Sequence, residues 1–237
     1  DAFIYFRYVR NDLEGNGLVY NVGYRFNGLT SPLFTYILII VSWITKDIQF
    51  SAMAVFASFM GLTLVTAGLL LKHYSKFYYI VIGGLIATCS PYFYSTYGME
   101  TAQFIFLICL CIYFFEKEKY FFFGLACSLL ILTRIEGILL ILSLTIEHIR
   151  LRKPLPKFQF IVLPFLIIAA QYGFNKAYYG EFMPATGMVK IYQGQSGLWG
   201  EWPLAFLQIE YHKGVFFFSN IFLMIMLAVS SIYGFYC

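Results

Sequence analysis

The pattern of hydrophobic and polar positions divides this chain of 237 residues into long apolar runs separated by short polar turns. A helix that spans a bilayer needs roughly 20 apolar residues, with a range of about 17 to 25. The runs that approach this length are 32–45, 50–71, 77–94, 102–115, 120–133, 138–149, 158–174 and 215–235. Several are short for a full crossing, and local thinning of the bilayer or burial among neighbouring helices would accommodate them. The pattern therefore predicts an all-α, polytopic transmembrane bundle.

The first 31 residues have a different pattern. Read at 3.6 residues per turn, one stripe of this segment is apolar, with members Ala2, Phe6, Val9 and Leu13. Charged and tyrosine side chains fill the adjacent stripes, which predicts a helix lying in the membrane surface. We expect Gly15 and Gly17 to end this helix, because glycine tolerates the left-handed geometry found after helix ends. The stretch 20–23 then reads as a turn, and Pro32 as the entry to the first apolar run.

These patterns divide the chain into four regions. They are an external loop with an interfacial helix (1–31), a transmembrane module (32–177), a second external loop (178–213) and a transmembrane helix (214–237). Because the chain begins at Asp1 without a methionine, we expect the natural protein to continue beyond both ends.

Composition supports a membrane class. The chain is 60% hydrophobic and 12% charged, whereas soluble domains have roughly 45–50% apolar and about 25% charged residues. The net charge of +4 is small and spread over loops, so binding of nucleic acid has no support. The five cysteines lie in or beside apolar runs without metal-ligand spacing, so neither structural zinc nor a disulfide framework is expected. No cofactor is predicted, and a divalent metal has no support from the sequence.

Lysine and arginine collect in the loops at 116–119 and 150–157, which predicts that both are cytoplasmic. The turns at 97–101 and 133–137 would then lie outside, together with the loop 178–213.

One conflict remains in this topology. Lys72 and Lys76 also belong on the cytoplasmic side, so the run 50–71 would cross inward. Strict alternation then puts the opening segment inside, unless the short run 32–45 dips into the bilayer and returns.

The opening segment carries an ordered set of motifs. They are Asp1-Ala2, Phe6-Arg-Tyr8, Asn11, Glu14-Gly15, Gly17-Leu-Val-Tyr-Asn21, Gly23, Gly28 and Thr30-Ser-Pro-Leu33. Later motifs are Gly98-Met-Glu-Thr101, Arg134-Ile-Glu-Gly137 and Pro184-Ala-Thr186 with Lys190. In order and spacing these motifs resemble the GT-C superfamily of membrane glycosyltransferases, in its bacterial arabinofuranosyltransferase-like branch. The chain departs from that pattern at Asn16, Val22, Asn27 and Ile135, where the family usually has histidine, proline, glutamate and proline.

The resemblance implies an enzyme of the bacterial inner membrane whose active site faces the periplasm or exterior. It would transfer a sugar, with a pentofuranose as one candidate, from a polyprenyl-phosphate donor to a glycan or glycoprotein acceptor. By position, Asp1 matches the aspartate that takes the proton of the acceptor hydroxyl. The alternative is that Asp1 only caps the interfacial helix, since aspartate is favoured there.

Other residues are candidates for donor and acceptor binding. Arg7 and Arg10 could clamp a phosphate through paired donors, or could extend to lipid headgroups instead. Lys190 is a further phosphate partner, with a solvated loop lysine as its alternative. Three positions in the matched loop are assigned to acceptor binding or to loop shaping, namely Asn11, Tyr20 and Asn21.

Glu100, Arg134 and Glu136 lie between apolar runs, where charges are costly and so tend to be paired or functional. We predict that they bind donor phosphate or sugar. The alternatives are a mutual ion pair of Arg134 with Glu136, and for Glu100 a carboxylate that stabilises a helix N-terminus. If the prediction is right, the opening helix and the turns carrying Glu100, Arg134 and Lys190 converge on one water-facing pocket.

Two other functions remain open. In a secondary transporter or flippase for a lipid-linked or small polar solute, Arg134 and Glu136 would line the pathway. Such transporters usually contain paired repeats with broken helices, and no such repeat is visible in the sequence. A non-catalytic membrane anchor for a partner is the third reading.

Overall fold

The computed structural model describes residues 2–71, 96–152, 158–185, 189, 192, 195 and 196. These residues form helices joined by turns, with one isolated β-bridge and no strand among them. The chain divides into two compact units, Asp1–Thr186 and Gly187–Cys237. The helices described below belong to the first unit.

The described helices follow the predicted apolar runs. Their bounds are α1 (Ala2–Leu13), α2 (Pro32–Thr45), α3 (Ile48–Leu71), α4 (Thr101–Glu116), α5 (Tyr120–Thr133), a short 3₁₀ helix (Ile135–Gly137), α6 (Ile138–Arg150) and α7 (Phe158–Tyr179). Helix α7 continues to Tyr179 rather than ending at 174. The predicted helices at 77–94 and 215–235 lie outside the described residues. The all-α class is therefore confirmed for the described part of the chain.

Helix α1 ends at Leu13, and Gly15 and Gly17 follow with φ of 81° and 80°, as predicted. Its buried face differs from the predicted apolar stripe. The buried side chains are Tyr5, Tyr8, Val9 and Asn11, whereas Leu13 is exposed. The helix is turned this way because its tyrosine and asparagine side chains hydrogen bond to the loop that follows it.

Helices α2 and α3 form a hairpin through Lys46, which adopts a left-handed conformation with φ of 60°. Pro32 is the first residue of α2, a position where its fixed φ suits a helix and its missing N–H is harmless. Helix α1 packs across this hairpin, with the rings of Tyr5 and Phe34 edge to face at 5.3 Å. Leu38 of α2 and Val55 of α3 complete the buried cluster.

Helices α4 and α5 form a second, antiparallel hairpin. Near its open end, Nε2 of Gln103 donates to Oγ1 of Thr133 at 2.9 Å, and both residues are buried. Further along, the sulfur atoms of Cys111 and Cys127 lie 3.9 Å apart. These thiols pack in an apolar cluster with Leu130.

Helix α3 runs beside α4 in the same direction. The ring of Phe56 contacts Tyr97 at 4.8 Å, just before α4, and the ring of Phe59 contacts Phe106 within α4 at 5.6 Å. Among the described helices, α3 alone is long and apolar enough to cross a membrane, and 28% of its most apolar stretch is buried. Helices α2, α4 and α5 are apolar but shorter.

Candidate functional site

The turn before α4 docks on the first turn of α1. Gly98 in this turn has a φ of 76°, which favours glycine. A Cβ added at Gly98 would lie 3.1 Å from Cζ of Phe6 and 3.2 Å from Cβ of Ala2. Both the backbone conformation and this close approach therefore require glycine. The contact brings the motif Gly98-Met-Glu-Thr101 against the opening helix.

Glu100 is buried directly behind this turn, with 4% of its surface exposed. Its Oε1 lies 3.7 Å from Nε of Arg134. Its Oε2 is buried without a hydrogen-bond partner among the described residues. A buried carboxylate oxygen without a partner is costly. One oxygen of Glu100 is therefore buried without a donor in hydrogen-bond geometry, and the Tyr5 hydroxyl is the nearby donor that interacts with this carboxylate.

Tyr5 of α1 faces the same carboxylate. Its hydroxyl is 2.8 Å from Oγ1 of Thr30. The pKa of the Tyr5 hydroxyl is raised above its ordinary value, first by burial and then by the negative charge of Glu100. Tyr5 therefore stays protonated at neutral pH and can donate a hydrogen bond within the site.

Arg134 lies in an extended conformation between α5 and the 3₁₀ helix, with φ of −153° and ψ of 132°. Its guanidinium is 3.5 Å from Oε1 of Glu136 and 5.9 Å from the ring centre of Phe104. Both carboxylate contacts exceed the about 2.7–2.9 Å of tight charge-assisted hydrogen bonds. The side chain is 36% exposed. Arg134 thus keeps N–H donors available for an anion.

The 3₁₀ helix positions Arg134 by packing tightly on α5. A Cβ added at Gly137 would lie 2.6 Å from Cγ of Leu130, so a larger residue would push the two elements apart.

The other predicted residues of the opening segment lie on its loop side. Arg7 donates through Nε to the carbonyl of Tyr20 at 2.9 Å and through Nη2 to Oδ1 of Asn21 at 3.4 Å. Its guanidinium also lies 5.2 Å from the centre of the Tyr20 ring. Asn11 is buried, and its Nδ2 donates to the carbonyls of Val19 and Tyr20 at 2.7 and 2.9 Å. These contacts fix the path of the loop.

Tyr8 and Gly28 belong to two of the opening motifs, and the Tyr8 side chain meets Gly28 in the same loop. The Tyr8 hydroxyl donates to the carbonyl of Phe26 at 2.7 Å and accepts the N–H of Gly28 at 2.9 Å. The described part of the last motif also reaches this loop, because the N–H of Ala185 donates to the carbonyl of Asn27 at 2.8 Å.

The structure therefore brings Glu100, Arg134 and Glu136 together beside the start of α1. It holds Arg7 against the loop, and it leaves Arg10 exposed. Asp1 and Lys190 lie outside the described residues.

Sequence reasoning missed Tyr5 as a neighbour of Glu100. In a chain with 20 tyrosines, one more tyrosine on a surface helix is not a distinctive signal. Its spacing of three from the matched Tyr8 places both on one helical face, and this is the clue that the sequence offered.

A cleft of about 470 Å³ lies at the other end of α1, not beside Glu100 and Arg134. Its walls include Asp12, Tyr36 and Tyr178. Within the described ranges, no group of three or more His, Cys, Asp or Glu side chains could hold a metal ion.

No protein-family model, curated protein or solved structure matches this chain. The resemblance of its motifs to GT-C enzymes therefore stays a prediction.

Proposed function

We propose that this protein is a membrane glycosyltransferase that transfers a sugar from a polyprenyl-phosphate donor to a glycan or glycoprotein acceptor. The observation that carries the proposal is the group formed by Glu100 and Arg134 against the start of α1. It combines a buried carboxylate with one oxygen outside hydrogen-bond geometry, a protonated tyrosine beside that carboxylate and a partly exposed guanidinium. A sugar phosphate presents hydroxyl donors and an anion to complementary groups of these kinds.

In the proposed reaction, an acceptor hydroxyl attacks the anomeric carbon of the donor sugar. Its oxygen forms the new glycosidic bond, and its proton passes to the carboxylate of Asp1. The bond between the anomeric carbon and the phosphate oxygen breaks, and polyprenyl phosphate leaves with the electron pair. Arg134 stabilises the charge that develops on this phosphate, and Glu100 accepts a hydrogen bond from a sugar hydroxyl.

The role of Asp1 as the base is taken from the motif resemblance, and the Cβ of the next residue, Ala2, lies 3.2 Å from a Cβ added at Gly98 in the turn before Glu100. A positioned general base contributes about 10²–10⁴ in rate, which sets the size of the effect expected when it is removed.

A bilayer setting is supported by the side chains that the helices expose. Large apolar residues on the surface include Ile44 in α2, Met53 in α3, Leu139 and Ile146 in α6, and Phe165 in α7. An apolar surface of this extent is expected to contact lipid rather than water. With the motif resemblance, this favours a multi-pass protein of the bacterial inner membrane whose site faces the exterior.

The test is sugar transfer by the purified, membrane-reconstituted chain, with polyprenyl-phosphate-linked pentofuranose and hexose as the two donors. Asp1→Asn should lower kcat by about 10²–10⁴. Arg134→Lys and Glu100→Gln should each lower kcat/KM, because the first loses the planar fork of donors and the second loses the charged acceptor.

The chain offers a matched control in a second glutamate–arginine pair. Arg150 donates to Glu147 at 2.7 Å through both Nε and Nη2 at the end of α6. Glu147→Gln and Arg150→Lys should leave transfer unchanged. Full transfer by Asp1→Asn would end the proposed mechanism. Passage of solute across the membrane without glycosyl transfer would favour the transporter reading instead.

A further inference from the structure

The cleft at the end of α1 has walls from three elements and the loop that follows α1. Its volume of about 470 Å³ falls within the roughly 300–1,000 Å³ of ligand pockets. Leu18, Ile39 and Ile40 supply aliphatic surface, and Phe174 and Tyr178 supply stacked rings 5.3 Å apart. Among the described residues that line the cleft, Asp12 carries a formal charge and the others do not.

Asp12 stands at the rim of this apolar space without a cation. In the described part of the chain, its carboxylate takes part in none of the ion pairs. Burial raises its pKa above the ordinary value of an aspartate, because a charge beside apolar walls is poorly solvated. A ligand that brings a positive charge to Asp12 would remove this penalty.

The walls of the cleft are held in place before any ligand binds. The Tyr36 hydroxyl donates to Oε1 of Gln171 at 3.1 Å, and Nε2 of Gln171 donates to Oδ1 of the buried Asn175 at 2.9 Å. The Tyr179 hydroxyl donates to the carbonyl of Leu18 at 2.7 Å. The proton of Tyr36 is thus already used, which leaves few groups to satisfy the several hydroxyls of a saccharide.

The cleft continues along an apolar strip of α2. Ile40 lines the cleft, and Trp43 and Ile44 follow it at spacings of three and four residues on the same helical face. These three side chains are 61%, 65% and 68% exposed. Arg25 is not among the described residues that line the cleft, but its guanidinium lies 4.6 Å from the centre of the ring of Tyr178, which does line it. An acidic group and an apolar strip therefore meet at one opening, with a basic group against one of its aromatic walls.

We propose that this cleft binds a phospholipid whose headgroup carries a primary ammonium. The ammonium pairs with Asp12, the phosphate contacts Arg25, and an acyl chain lies along Ile40, Trp43 and Ile44. A metal ion fits less well, because hard cations need several oxygen ligands and the lining offers one carboxylate. The inference rests on the bilayer setting of the proposed function, but it concerns a separate site.

The test is native mass spectrometry of the full chain in detergent, offered equal amounts of ethanolamine and choline phospholipids with identical acyl chains. Choline lipid keeps the phosphate and chains but cannot donate a hydrogen bond from its headgroup. The wild type should retain the ethanolamine lipid about tenfold better or more, as expected for a charge-assisted hydrogen bond.

Asp12→Asn should retain both lipids equally, whereas Glu14→Gln, two residues away and exposed, should keep the preference. Arg25→Gln, at an exposed position, should lower retention of both lipids several-fold without changing the preference. An unchanged preference in Asp12→Asn, or none in the wild type, would overturn the proposal. Displacement of bound lipid by a neutral oligosaccharide would overturn it in favour of a glycan site.

This outcome is independent of sugar transfer. Lipid retention is measured without any sugar donor, and it should be the same for Asp1→Asn as for the wild type. If the protein transfers sugar but shows no lipid preference, only the lipid-binding proposal is rejected. If it shows the lipid preference but does not transfer sugar, only the glycosyltransferase proposal is rejected.

Discussion

At the scale of single residues, the opening segment separates side chains that shape the loop from side chains left open to a ligand. Asn11 uses both of its amide hydrogens on carbonyls of the loop, and Arg7 uses its donors in the same way. Glu100 keeps an unpartnered oxygen, and Asp12 keeps an unpaired charge among the described residues. The lack of a partner, for a buried oxygen of Glu100 and for the half-buried Asp12, marks these two carboxylates as candidates for binding.

The charge of Asp12 should make the folded protein sensitive to pH. Because its folded pKa is raised, the folded state binds a proton more tightly than the unfolded state. This contribution to stability is greatest below the unfolded value of about 3.9 and is lost as pH rises through the folded pKa. At pH 7, Asp12→Asn should therefore unfold at a higher temperature than the wild type.

The measurement is the thermal midpoint in detergent from pH 3.5 to pH 7. The gap between Asp12→Asn and the wild type should shrink toward the acidic end. Glu14→Gln, which changes an exposed carboxylate, should alter the midpoint little at pH 7. A lower midpoint for Asp12→Asn than for the wild type at pH 7 would mean that the carboxylate stabilises the fold, contrary to this prediction.

At the scale of elements, the approach of α1 to the turn before α4 depends on Gly98. Alanine at this position would hold a left-handed backbone, which costs roughly 1–2 kcal/mol. It would also press a methyl group against Phe6 and Ala2. We expect Gly98→Ala to lower the free energy of unfolding by more than the backbone term and to move α1 away from Glu100.

Gly23 separates these two causes. It has a similar φ of 83°, and a Cβ there would meet nothing within 4 Å, so Gly23→Ala carries the backbone term alone. The free energy of unfolding, measured with denaturant, should be lowest for Gly98→Ala, intermediate for Gly23→Ala and highest for the wild type. Equal destabilisation of the two variants would mean that the contact with α1 is unimportant.

The helices were more predictable than the site. The bounds of α2 and α5 agree with the apolar runs because polar turns flank them, at Lys46-Asp47 and at 116–119. The glycines after α1 were predictable because their conformation is a local property. The site roles of Asp12 and Tyr5 were not predictable. Asp12 lines a cleft with Tyr178 and Tyr5 faces Glu100, and both partners are distant in sequence and come close only through packing.

At the scale of the whole molecule, the described helices carry more apolar side chains outside than a single buried core explains. Trp43, Met53, Ile146 and Phe165 are each more than 60% exposed. Helix α3 alone among the described helices is both long and apolar enough to cross a membrane by itself, so a bundle embedded in lipid would depend on the other helices packed beside it.

Cell fractionation tests this bilayer setting. The protein should stay in the membrane pellet after washing with alkaline carbonate and enter solution only with detergent. A peripheral membrane protein carried through the same fractionation is the control, and it should be released by carbonate. Release of this chain along with the control would contradict the bilayer setting while leaving the helical fold untouched.

The hydrogen bonds that anchor the opening segment set the order in which the molecule can be completed. Leu18 is held by Tyr179, 161 residues later, and Tyr36 by Gln171, 135 residues later. At a synthesis rate of about 5–20 residues per second, the ribosome needs roughly 8 to 32 s to supply Tyr179 after Leu18. During that interval, α1 and the loop that follows it lack these two partners. The loop after α1 is thus completed only after α7, at the far end of the same unit, has been made.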